Sequence, residues 1–126
     1  MSAAPIRFAI SIPQSAADSR FDDDAFRAYL RRVEELGLFE SAWTQEQVIG
    51  PSESLAPLQT LTYAAACTRR VRLGCAVFVL PLHNPLHLAK AISSLDCMSH
   101  GRVEVGVASG GRGRPFGAFG VDPDRP

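Results

Sequence analysis

The sequence has no excess of either charge, no long apolar run and no secretory leader pattern. Its 126 residues carry 13 Lys and Arg against 13 Asp and Glu, so the formal net charge is zero. This balance does not favour a polyanion, and we expect no nucleic acid as a partner. No apolar stretch approaches the roughly 18 residues of a membrane span, so we expect no membrane partner either.

Disulfide and metal-binding patterns are also scarce. The three cysteines, Cys67, Cys75 and Cys97, form no C-x-x-C motif and lie in apolar surroundings. Their odd number argues against a disulfide framework, so we expect small buried residues and a reducing, cytoplasmic location. His83 and His87 have a spacing that suits zinc, but Pro85 lies between them and no third ligand is evident. We therefore expect no metal.

Four β-type runs recur at a nearly constant spacing. They begin at residues 7, 40, 72 and 102 and span 7–12, 40–44, 72–80 and 102–108. A period of about 32 residues indicates one repeated supersecondary unit. The third and fourth runs are almost continuously apolar, which is typical of parallel strands covered on both faces.

Helical periodicity occupies the segments between these runs. The first helix follows the acidic cap residues Asp22–Asp24 and ends at Gly37. The second begins near Pro57 and ends around residues 68–70, and the third extends from Pro85 to just before Gly101. The glycine-rich tail, residues 110–126, has no second apolar stripe, so we expect no fourth helix.

The order of elements predicts an α/β fold with a parallel βα repeat. Eight units of about 32 residues would total about 256, close to the usual size of a (β/α)8 TIM barrel. Residues 1–126 then form one partial barrel, its N-terminal half, with four strands and three helices. An open, doubly wound sheet is the alternative, and periodicity alone does not separate the two.

Ligands of parallel α/β proteins gather at the carboxyl ends of the strands. Here those ends are mostly neutral and partly apolar, which suits a flat, uncharged ring system better than acid–base chemistry. Glu46 is the one carboxylate among them. It either hydrogen-bonds a cofactor or substrate, or is a solvated loop residue. We expect Trp43 to pack rather than to stack on a ligand.

The glycines after the fourth run do not form a dinucleotide-binding fingerprint. The spacing from Gly111 through Gly113 to Gly117 is one residue too long for G-x-G-x-x-G. Pro115 and these glycines are also expected to leave no helix whose N-terminus would hold a pyrophosphate.

Four segments together carry a family resemblance. They are RLGCAVFVLPLHNP at 72–85, LDCMSHGRVEVGV at 95–107, ELGLFESAW at 35–43 and FGVD at 119–122. In this order they closely resemble the bacterial luciferase-like monooxygenase family, whose members are flavin-dependent monooxygenases and oxidoreductases that use the deazaflavin coenzyme F-420. The likeness covers essentially the whole chain.

The resemblance implies a (β/α)8 barrel with FMN or coenzyme F-420 across the strand ends. It also implies a bulge in the third strand with a non-proline cis peptide near Ala76–Val77, and a close approach of the cofactor to the end of the fourth strand. The expected cofactor-binding residues are Glu46, Gln47, Ala76, Val77, Phe78, Ser109 and Gly110.

Two positions depart from the family pattern. Many members have a proton-handling His where this chain has Gln47, and an amide cannot exchange a proton near neutral pH. Some deazaflavin enzymes have an acid at the position of Gly111. The implied function is oxidation or reduction of a small-molecule substrate by hydride transfer or oxygen activation, with the catalytic residues unassigned.

An alternative is a non-catalytic half barrel that is stable only by self-association. Four βα units would expose two strand edges, so we expect a homo-oligomer. A small open-sheet domain that binds a nucleotide is a third possibility, but it would need a helix start that grips phosphate.

Overall fold

A computed structural model describes residues 4–16, 18, 20–111 and 114–122. Strands and helices alternate along the chain, in the order β1 Phe8–Ser11, α1 Asp23–Leu36, β2 Phe39–Thr44, α2 Pro57–Cys67, β3 Arg72–Val79, α3 Pro85–Met98, β4 Val103–Ala108 and α4 Arg114–Ala118. A short 3-10 turn, Leu80–Leu82, joins β3 to α3.

The four strands form one parallel sheet in the order β1-β2-β3-β4. Each strand pairs with the preceding one in the chain. A doubly wound sheet would instead reverse its strand order at a switch point. The predicted parallel βα repeat is confirmed, and the sheet is part of a (β/α)8 barrel. Among the described residues, no helix is long and apolar enough to cross a membrane.

The helix boundaries follow from local capping. The Asp22 carboxylate accepts a hydrogen bond from the Ala25 N–H at 2.9 Å and thereby caps the start of α1. Gly37 ends the helix with φ +61°, a left-handed conformation that costs glycine little. Pro57 and Pro85 stand at the first positions of α2 and α3, where a missing N–H breaks no helical hydrogen bond.

The core lies between the helices and one face of the sheet. Phe26, Leu30 and Val33 form the buried side of α1, and the fully buried residues of the other elements pack with them. The largest of these apolar side chains, each exposed by 1% or less, are Leu30, Leu61, Leu73, Phe78 and Leu95. Burying a side chain of this size contributes about 1.5–3 kcal/mol.

On β2, Trp43 packs against its neighbour strand. A Cβ atom added to Gly74 would lie 2.6 Å from the Trp43 ring, so the indole occupies the space above this glycine. The indole N–H donates to the Ser41 hydroxyl at 2.7 Å. Trp43 therefore packs against β3, and its lack of a stacking role toward a ligand stays a prediction.

The expectation that β4 is covered on both faces is wrong. Val105 and Val107 are 45% and 50% exposed. The apolar run predicts burial, but β4 is the last strand of this sheet and has a neighbouring strand on one side only.

The expectation that the tail has no helix is also wrong. α4 is five residues long, and Phe116 within it is 4% exposed. The Val121 N–H donates to the Phe116 carbonyl at 2.9 Å and closes the end of the helix. A single turn with one apolar anchor has too few residues to show periodicity, which is why the sequence did not reveal it. Residues 112–113 and 123–126 of the tail lie outside the described residues.

The cysteines differ in burial. Cys75 is buried and Cys67 is partly buried, as expected, but Cys97 is exposed because it lies on the solvent side of α3. All three thiols are free.

Candidate functional site

The carboxyl ends of β2, β3 and β4 lie side by side, and we call this edge the rim (residues 45–47, 76–83 and 109–110). Thr44 pairs with Cys75, and Val79 pairs with Ala108. The pairing brings together segments that are about 30 residues apart in the chain. The rim is the place where a parallel α/β protein binds its ligand.

A break in the β3 ladder shapes the rim. Cys75 pairs with Val105, and the next pair joins Phe78 to Val107, so β3 contains one residue more than β4 over this stretch. The peptide between Ala76 and Val77 is cis. Both the bulge and the cis peptide occur where the family resemblance predicts them. Ala76 is exposed and Val77 is partly exposed at the break.

The Phe78 side chain does not face the rim. It is 1% exposed and belongs to the core. Because the bulge adds one residue, Leu73, Cys75 and Phe78 all point to the helix side of β3. The prediction that Phe78 lines the site is corrected accordingly, since only its backbone borders the rim.

Glu46 lies beneath the surface of the rim. Its side chain is 4% exposed. One carboxylate oxygen accepts from the Val79 N–H at 2.6 Å, and the other lies 2.7 Å from Nε2 of His83. Glu46 is therefore not a solvated loop residue, and its oxygens are already paired within the protein.

His83 is the site residue that sequence reasoning missed, because it was considered only as a zinc ligand. The 3-10 turn before it fixes its backbone, with the His83 N–H donating to the Leu80 carbonyl at 3.0 Å. Its ring stands edge-on to Phe78 with the centroids 6.1 Å apart. The sequence did contain a signal for His83. It lies just past the end of a predicted strand, and Glu46, the single carboxylate at the strand ends, was available as its partner.

Asn84 fixes the segment that follows His83. Its side-chain oxygen accepts from the N–H groups of Leu86 and His87 and caps α3. His87 is exposed and lies in the first turn of α3, so the two histidines have different environments.

The end of β4 approaches β3 closely. Gly110 has φ +76°, and a Cβ atom there would lie 2.6 Å from Cγ1 of Val79 and 3.1 Å from the Phe116 ring. Only glycine fits this position without a shift. Ser109 beside it is exposed.

Gln47 is exposed at the end of the rim. Its side chain folds over Gly50, where an added Cβ would overlap the amide nitrogen. The loop that carries Gln47 is anchored by Gln14, whose side-chain NH2 donates to the carbonyls of Gln45 and Leu55 at 2.8 Å each. The Gln14 side-chain oxygen also accepts from the Gln45 N–H at 2.6 Å. These bonds tie the end of β1 to the loop after β2.

The Cys75 thiol offers no nucleophile at neutral pH. Burial raises its pKa to about 11, an effect that its hydrogen bond with Thr44 opposes and that the nearby negative charge of Glu46 reinforces. A thiol with so high a pKa stays protonated, and the thiol form is unreactive.

Comparison with known proteins assigns this arrangement to a family. The family model described as luciferase-like monooxygenase matches residues 4–126. The chain belongs to the luciferase-like monooxygenase family. A 4-hydroxyprotoasukamycin monooxygenase from Streptomyces nodosus subsp. asukaensis is 34% identical to it over 86 residues, which cover 68% of this chain and 23% of that protein.

Two solved structures share the fold. A monooxygenase from Streptomyces bottropensis has a TM-score of 0.77 and 28% identity, and the match covers 94% of this chain and 38% of that one. The coenzyme F-420-dependent tetrahydromethanopterin reductase from Methanopyrus kandleri has a TM-score of 0.68 and 27% identity. That match covers 95% of this chain and 32% of the reductase chain. The chain spans about a quarter of the length of the curated relatives it matches.

Proposed function

We propose that the protein is an oxidoreductase that binds FMN or coenzyme F-420 at the rim and acts on a small-molecule substrate. The bulge of β3 at Ala76–Val77, beside the buried Glu46, is the observation that carries the proposal. A small exposed side chain at Ala76 and a partly exposed one at Val77 leave a surface that a planar ring can approach closely.

The residues at the rim fit such a ring. The one carboxylate there, Glu46, is 4% exposed and already hydrogen-bonded, so an uncharged ring would meet little unpaired charge. Ala76 and Val77 would contact one face of the ring. Ser109 and the Gly110 backbone would border its edge, and the exposed amide of Gln47 would donate or accept a hydrogen bond.

The cofactor, when bound, would supply the hydride transfer or oxygen activation. The protein would hold the ring, cover one face and leave the other face open to the substrate. The proteins similar to this chain include both monooxygenases and an F-420-dependent reductase. Both cofactors are therefore candidates. On the basis of its free thiols we also propose a cytoplasmic location.

The test is titration of the full-length protein with FMN and with coenzyme F-420, followed by fluorescence. Ala76→Trp is expected to weaken binding at least about tenfold because the indole would occupy the ring's place, a loss of about 1.4 kcal/mol. Ala28→Trp, at an exposed position on α1, is the matched control and should bind as the wild type does. Failure of the wild-type protein to bind either cofactor would end the proposal.

A second candidate is a non-catalytic half barrel stabilised by self-association, which would make the protein a homo-oligomer. The exposed apolar residues of the two edge strands favour it: Phe8 on β1 is 58% exposed, and Val105 and Val107 on β4 are about half exposed. Sedimentation that shows a well-folded monomer would remove this candidate.

A further inference from the structure

His83 and Glu46 form a pair that lies beneath the rim rather than on its surface. The Glu46 side chain is 4% exposed and the His83 side chain 23% exposed, so the imidazole reaches solvent more than the carboxylate that it contacts. Because an ionised carboxylate only accepts hydrogen bonds, Nε2 of His83 is the donor at 2.7 Å.

The second oxygen of Glu46 transmits this contact to β3. It accepts from the Val79 N–H at 2.6 Å, two residues after the cis peptide. Val79 in turn pairs with Ala108 and fills the space that a side chain at Gly110 would need. The Glu46 carboxylate therefore links the end of β2 to the end of β3, and Val79 joins β3 to the end of β4.

We propose that His83 is a positioning residue for the cofactor ring, a role that rests on the proposed function. The imidazole fixes the orientation of the Glu46 carboxylate. The carboxylate then fixes the Val79 backbone, and so the place of Ala76–Val77 at the rim. His83 itself would not touch the ring.

The physical reason lies in the burial of the carboxylate. A carboxylate removed from water needs several hydrogen bonds, and charge-assisted bonds are the stronger kind. When the imidazole is lost, water enters beside Glu46 and the carboxylate turns toward it. The bond to the Val79 N–H then weakens, and the rim loses its fixed geometry.

The first measurement is amide hydrogen exchange at Val79 in the full-length protein without cofactor. His83→Leu removes the donor and is expected to raise the exchange rate at Val79 at least about tenfold. His83→Gln keeps an N–H donor and should restore most of the protection. His87→Leu, four residues further along the chain and exposed, is the matched control and should leave Val79 unchanged.

The second measurement is the dissociation constant and the absorbance spectrum of the bound ring. His83→Leu should weaken binding about tenfold and shift the visible band, His83→Gln should recover both, and His87→Leu should change neither. Should His83→Leu fail to fold, His83→Asn takes its place, because its amide is too short to reach Glu46.

Each outcome decides the proposal. Unchanged exchange at Val79 in the donor-free variant overturns the claim that His83 acts through Glu46. Faster exchange with unchanged affinity and spectrum overturns the link to the ring. If the wild type binds neither cofactor, the proposed function fails and the ring-positioning role falls with it, while the exchange data still decide whether His83 holds Val79.

Discussion

Replacing Arg102 by lysine tests how the strands and helices are held together at the end of the sheet opposite the rim. Arg102 is 9% exposed and uses all five N–H donors of its guanidinium. Nε donates to the Ser99 carbonyl at 2.7 Å, and Nη1 donates to the Thr68 hydroxyl at 2.8 Å and the Val71 carbonyl at 2.9 Å. Nη2 donates to the carbonyls of Ala65 and Thr68 at 3.0 and 3.2 Å. The bonds connect the end of α2, the start of β3 and the turn before β4.

A lysine at this position keeps the charge but has one nitrogen with three donors, so at least two of the five acceptors lose their partner. A hydrogen bond from a charged group contributes about 1.5–3 kcal/mol, and a buried carbonyl left without a donor costs further free energy. We expect Arg102→Lys to lower the free energy of unfolding by about 3–5 kcal/mol. A typical domain has a total free energy of unfolding of roughly 5–15 kcal/mol, so this loss is a large part of it.

Urea denaturation of the full-length protein measures this change as a shift of the unfolding midpoint, while the slope of the unfolding free energy against urea concentration stays the same. The control is Arg32→Lys, since the Arg32 side chain is 67% exposed and its nearest carboxylate oxygen, on Glu35, is 3.7 Å away. That variant should lose less than about 1 kcal/mol. Equal shifts for the two variants would refute the argument that the guanidinium geometry, rather than the charge, holds these segments.

Two further predictions concern α1 and the rim. Burial raises the pKa of the Glu34 carboxyl, but the N–H groups of the turn before β3 that donate to it lower the pKa more, so that it lies below the ordinary 4.5. The stability it contributes is therefore present above about pH 4.5 and is lost as pH falls through the folded-state value. Glu34→Gln should lower the free energy of unfolding by about 1–3 kcal/mol at neutral pH, and this difference from the wild type should shrink in acid. Glu35→Gln is the control. An equal loss at pH 7 and in acid would contradict the prediction. Gly110→Ala should destabilise the protein by about 1–3 kcal/mol because of its positive φ and its contact with β3, whereas Gly111→Ala, which has open space, should change it by less than about 0.5 kcal/mol in the same denaturation. Equal urea midpoints for the two alanine variants would show that the contact between Gly110 and Val79 is not rigid.

The elements that were predicted correctly have local causes. α1 begins at the cap Asp22 and ends at Gly37, and both residues act on neighbours within the helix. Pro57 and Pro85 start α2 and α3 for the same kind of reason. The recurrence of these signals at a constant period is enough to predict a parallel βα repeat.

The site was predicted less completely because its contacts join distant residues. Glu46 was selected from its place after a strand, but its partner His83 is 37 residues further along the chain. No spacing rule connects the two, and only the packing of β2 beside β3 brings them within hydrogen-bonding distance. The role of Arg102 was not predicted for the same reason, since its acceptor in α2, the Ala65 carbonyl, is also 37 residues away.

By itself, the sequence determined the order and approximate boundaries of the elements from β1 to β4 and the family to which the chain is similar, and it predicted the edge at which a ligand would bind. Only the tertiary structure decided which side chains face that edge. The bulge in β3 shifts the alternation by one residue, so Phe78 turns into the core although it follows the cis peptide at Ala76–Val77. Side-chain direction beyond a bulge depends on the register with the neighbouring strand, and that register is a property of two segments together.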